Sequence, residues 1–129
     1  MIALGIGCRR NAPVEDIEAL IATALHAASL AAAAISLVAT EKDKAAEPGL
    51  VDAARRLGRP LVGIVTSELV KVSHLVVTPS ERVQQLKGVP SVAETAALAA
   101  VGQGARLILP RIANATATCA LASDEEWRR

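Results

Sequence analysis

The sequence predicts one α/β domain of three layers, a mostly parallel sheet of about five strands with helices on both faces. Three observations predict it. Short apolar runs alternate with amphipathic stretches of helical spacing along the chain. The runs are compact and bounded by glycine or proline, as strands covered on both faces are. The chain has 129 residues, 52% of them hydrophobic, which fits one domain and is long enough to bury a substantial core.

Ile2 to Ile6 is the first strand, closed by Gly5 and Gly7. Pro13 suits the first turn of a helix, and Glu15 and Asp16 complement its positive dipole end. Ile17, Leu20, Ile21, Ala24 and Ala28 form the apolar face of that helix, with His26 off it. Ile35 to Ala39 reads as the second strand, followed by the charged run Glu41 to Lys44. Leu50, Ala53, Ala54 and Leu57 repeat at helical spacing, and Gly58 stops the helix ahead of Pro60. Leu61 to Val65 is a third strand, and Ser67 to Val72 a short helix.

Between His74 and Val89 two readings stay open: Leu75 to Val77 as sheet, and Ser80 to Leu86 as a helical turn. Ser91-Val92-Ala93-Glu94 has the form of a capping box before an Ala- and Leu-rich helix, ended by Gly102 and Gly104. Arg106 to Leu109 and Thr116 to Leu121 complete the strands. Residues 1–122 are expected to form the domain and 123–129 a polar tail.

Composition removes several function classes. Net charge is +1, and Trp127 is the lone aromatic, so neither electrostatics nor stacking favours nucleic acid. Cys8 and Cys119 are the only thiols, and no spaced cluster of metal ligands is visible. The longest apolar stretch, Ala19 to Val38, is broken by Thr23, His26, Ser29 and Ser36, so no membrane span is expected. A cytoplasmic protein with reduced cysteines and no metal or cofactor is the expectation.

In parallel sheets, ligands bind beyond the carboxyl ends of the strands. The segments following the first, second and fourth strands carry Cys8-Arg9-Arg10, Lys42-Asp43-Lys44 and Arg111, placing five basic side chains at one edge. Gly5 and Gly7 offer a turn whose backbone N–H groups can receive an anion, and the guanidinium groups of Arg9 and Arg10 suit carboxylates. In an extended segment, Lys42 and Lys44 share a side. Glu47 is either a helix-start acid or a polar contact in the same cleft. Ser91 and Glu94 are read first as caps, at a helix start that also presents N–H groups to a carboxylate. Neither His26 nor His74 partners Cys8, so no nucleophile–base pair can be drawn and the thiol is expected to be inert. Of Thr116 and Thr118, one is expected to face the cleft and the other to pack.

Gly5-Ile6-Gly7-Cys8-Arg9-Arg10, then Lys44 with Glu47 and Leu50, then Ser91 to Leu98, then Thr116 to Leu121 carry a resemblance over about Ile2 to Ala122. In these segments the chain resembles the cobalamin-biosynthesis family of CobE and the C-terminal domain of CbiG. Where that family often has a lysine before the last strand, Arg111 stands here, keeping the charge and changing the geometry.

The resemblance implies a part in building the corrin ring of vitamin B12. CbiG is a hydrolase that opens a lactone of cobalt-precorrin-5A, whereas this chain is similar to the free-standing CobE form. The expected ligand is a precorrin or a hydrogenobyrinic-acid-like tetrapyrrole, a flat apolar ring rimmed with carboxylates. Its expected contacts are Gly7, Cys8, Arg9, Arg10, Lys42, Lys44, Glu47, Ser91, Val92, Glu94, Arg111 and Thr116. Binding, as carrier or accessory to pathway enzymes, ranks ahead of catalysis. The alternatives are a hydrolase using Glu47 or Glu94 as general base, and a partner that stabilises another pathway enzyme.

Overall fold

A computed structural model describes residues 1–124. Five strands form one sheet: β1 (Ile2–Cys8), β2 (Leu37–Glu41), β3 (Leu61–Ile64), β4 (Arg106–Ala113) and β5 (Ala117–Ser123), in the order β3-β2-β1-β5-β4. β1, β2 and β3 pair in parallel, while β5 runs antiparallel to both β1 and β4. Four strands therefore point the same way, and their carboxyl ends share one edge. β5 alone is reversed, because it follows β4 through a tight hairpin rather than a crossover helix.

Helices α1 (Val14–Ala27) and α2 (Pro48–Leu57) cover one face. There Ile2, Leu4 and Ile6 of β1 pack with Ile17, Leu20 and Ile21 of α1 and Leu50 of α2. Gly58 ends α2 in the left-handed conformation, at φ 76°, as a helix stop requires. The other face carries α3 (Thr66–Lys71), α4 (Glu81–Lys87) and α5 (Val92–Val101).

α5 is buried along its first seven residues, and it lies almost on the backbone of β1. A Cβ on Gly5 would stand 2.0 Å from the carbonyl oxygen of Ala93 and 2.7 Å from the nitrogen of Ala97. Gly5 and Gly7 are thus not a turn. They lie inside β1, opposite Ala120 and Thr118 of β5, and Gly5 is there to admit a helix. Ala39, Ala120 and Ala122 keep the neighbouring strands equally low.

Three further segments differ from expectation. Lys42 to Lys44 is a 3₁₀ turn rather than extended, so its two lysines do not share a side by alternation. Leu75 to Val77 does not join the sheet: a 3₁₀ turn spans Ser73–Leu75, and α4 follows. β5 continues through Ser123, which is buried opposite Ile2, one residue into the expected tail; residues 125–129, with Trp127, lie outside the described residues. Among the described residues no helix is long and apolar enough to cross a membrane.

Candidate functional site

The shared carboxyl edge opens into a mostly apolar cleft of about 300 Å³. Its floor is the end of β1, with Gly7 and Cys8, and the first residue of α5, Val92. One wall is the β4–β5 hairpin, from Asn114 to Thr118. The opposite wall is α4, through Val83, Leu86 and Lys87. Arg9 and Arg111 stand at the rim, and Glu41 enters from the end of β2.

Each wall is fixed by a local device. The Oδ1 of Asn114 accepts the N–H groups of Thr116 (3.1 Å) and Ala117 (3.0 Å), which closes the hairpin. The hairpin is tied to α1 where Asn114 Nδ2 donates to the Asp16 carbonyl (2.9 Å) and Thr116 Oγ1 to Asp16 Oδ2 (3.0 Å). Arg9 N–H donates to the Thr116 carbonyl at 2.9 Å, joining the end of β1 to that wall. Both Thr116 and Thr118 line the cleft, and neither simply packs beneath it.

Glu94 is the organising residue. Its side chain is fully buried, and one oxygen accepts from Val77 N–H (2.8 Å) and Thr78 N–H (3.1 Å). The other accepts from Arg111 N–H at 2.8 Å. Arg111 has this N–H to spare because β4 is an edge strand bulged between Leu109 and Ile112, beside Pro110. Burial pushes the Glu94 carboxyl upward, but the backbone hydrogen bonds outweigh it and hold it below its ordinary value. The capping box is therefore only half formed. Ser91 Oγ caps Glu94 N–H at 3.2 Å, while the carboxylate turns away to join α5, the segment before α4 and β4.

The expected site residues divide accordingly. Gly7, Cys8, Arg9, Val92, Arg111 and Thr116 line the cleft together. Arg10, Lys42, Lys44, Glu47, Ser91 and Glu94 do not. Glu47 instead accepts Asn11 N–H at 2.6 Å, beside a separate depression at the start of α2. As general bases, neither acid is well placed: Glu94 has both oxygens committed to backbone, and Glu47 lies outside the cleft. Burial raises the Cys8 thiol above its ordinary value despite the pull of Lys44, and burial pushes Cys119 up to about 12.

Sequence reasoning missed Glu41, Val83, Leu86 and Lys87, and on the hairpin Asn114, Ala115 and Ala117. Lys87 Nζ pairs with Glu41 Oε2 at 3.1 Å across the cleft, 46 positions apart in the chain. The available signal was the helical spacing of Val83, Leu86 and Lys87, at i, i+3 and i+4, in the segment with two open readings.

Known proteins share this architecture. A family model described as "Cobalamin synthesis G C-terminus" matches residues 2–122. A curated relative named Protein CobE, from Sinorhizobium sp, is 37% identical over 127 residues, covering 98% of this chain and 82% of its own. The crystal structure of CobE, a protein from the cobalamin (vitamin B12) biosynthetic pathway, superposes with a TM-score of 0.88 at 32% identity, covering 95% of this chain and 89% of that one. The cobalamin biosynthesis protein chiG from Agrobacterium tumefaciens gives a TM-score of 0.76 at 34% identity, covering 98% and 100%. A larger cobalamin biosynthesis protein G homolog from Sulfolobus solfataricus matches over 37% of its own length and 96% of this chain, at 25% identity and a TM-score of 0.74. In sequence and in fold, the chain belongs to the cobalamin synthesis G C-terminus family, as a cobalamin-biosynthesis protein of the CobE type.

Proposed function

We propose that the cleft binds a precorrin or hydrogenobyrinic-acid-like tetrapyrrole, and that the protein acts as a carrier or accessory to other enzymes of cobalamin biosynthesis. The observation that carries this reading is the pairing of an apolar cleft with Arg9 and Arg111 on its rim, at the sheet edge where ligands of such folds bind. At about 300 Å³ the cleft takes one edge of a macrocycle and leaves the rest outside. The ring would lie against Val92 and the α4 side chains, and its peripheral carboxylates would meet the two guanidinium groups. Glu41 is no obstacle while Lys87 neutralises it.

Binding is preferred to hydrolysis because the acid inside the cleft, Glu41, is already ion-paired, and Glu47 and Glu94 are engaged elsewhere. The test is an absorbance titration of the protein with hydrogenobyrinic acid, followed by product analysis. Saturable binding at micromolar protein with ligand recovered unchanged is expected. A converted side chain would replace this reading with a hydrolase, and no binding would leave a stabilising partner of another pathway enzyme.

A further inference from the structure

α4 differs from the other elements around the cleft. Among its seven residues none is buried, whereas the first seven of α5 all are. A helix of that length is marginal without packing, and its one half-buried residue, Val83, is what packs against the core cluster of Ala39, Leu69, Val89, Val92 and Ala96. Ser80 Oγ caps it at Val83 N–H (3.3 Å), and the Lys87–Glu41 pair fastens its other end. The chain on either side is firmly anchored. Val77 and Thr78 are bound to the buried Glu94 carboxylate, and Val89 is completely buried. Between these anchors, Gly88 sits at φ 79°, a conformation that suits a pivot. Leu86 is 70% exposed although it lines the cleft, a large apolar side chain left mostly in solvent at its edge.

We propose that α4 is a hinged cover, latched by the Lys87–Glu41 ion pair, that closes Leu86 and Val83 onto a ligand in the cleft. The cover pivots between Ser80, whose N–H donates to the Pro90 carbonyl at 2.9 Å, and Gly88. Its apolar underside recognises a flat hydrophobic ring, while the latch keeps the Glu41 carboxylate from repelling ring carboxylates. This inference rests on the proposed binding function for its ligand, but the latch acts in the free protein as well.

Two measurements test it separately. Amide hydrogen exchange on the free protein reads the latch. Lys87→Gln and Glu41→Gln are each expected to speed exchange within 81–87 about twofold to fivefold, the range a partly exposed ion pair supports, with exchange in 92–101 unchanged. The charge-swapped double variant, Glu41→Lys with Lys87→Glu, is expected to restore the parent rate. If the single variants leave 81–87 unaltered, or the swap does not restore it, there is no latch. Leu86→Ser reads the cover, because so exposed a position can be changed without loss of folding. It is expected to weaken hydrogenobyrinic acid binding at least about tenfold, the effect of losing a newly buried leucine. Unchanged affinity in that variant overturns the cover even if the parent binds well. Failure of the parent to bind, with the latch intact, overturns the assigned ligand and with it the cover as proposed.

Discussion

Glu94 holds three chain segments with one carboxylate. Three backbone N–H groups converge on it in a fully buried position, and each would be left without an acceptor if the side chain were removed. Glu94→Gln keeps the shape but turns an amide NH2 toward N–H donors, so it is expected to cost about 2–4 kcal/mol, read as a lower urea midpoint. The pH dependence follows from the depressed pKa. The folded carboxyl titrates below its ordinary value of 4.5, so its stabilisation is complete above that value and is lost as pH falls through the lower folded one. Acid unfolding of the Glu94→Gln variant should therefore be flatter than that of the parent below pH 4.5. The cysteines make a second test. Raised thiol pKa values predict slow alkylation of Cys8 at neutral pH and none of Cys119 until the protein unfolds, with hydrogenobyrinic acid protecting Cys8.

At the scale of elements, the contact between α5 and β1 decides the architecture. Gly5→Ala forces a methyl group into the Ala93 carbonyl and is expected to cost about 3 kcal/mol or more. Gly7→Ala meets Thr118 Oγ1 at 2.9 Å and Val92 at 3.4 Å, partners that are side chains, so it should be milder. Denaturant unfolding of the two variants checks the order. Apolar periodicity and stop residues made α1, α2 and α5 legible in the sequence, because local spacing and caps determine them. The role of Gly5 was not legible. A glycine that admits a helix and a glycine that permits a turn look alike until the helix is placed. The reversal of β5 was hidden for a related reason, since strand direction depends on whether a hairpin or a crossover precedes it.

For the whole molecule, the cleft exists because separate parts of the chain reach one edge of the sheet. The rule that ligands bind beyond the carboxyl ends pointed to the edge where the cleft lies, and Arg9 and Arg111 both line it, although Arg111 lies inside β4 rather than after it. The rule could not select among the basic residues nearby. The 3₁₀ turn at Lys42 to Lys44 and the engagement of Glu47 with Asn11 take those residues out of the cleft, and α4 brings Lys87 in. The Arg111 backbone N–H, held by Glu94, keeps that rim residue in place whatever its side chain does. Arg9→Ala and Arg111→Ala are therefore expected to fold normally. The most direct test of a corrinoid-binding cleft is the Kd for hydrogenobyrinic acid of the parent and these two variants at low and high salt. Each variant should bind about fivefold more weakly at low salt, a loss of about 1 kcal/mol, and the difference should shrink as salt screens the rim. Parent-like affinity in both variants at every salt concentration would contradict a site at this cleft.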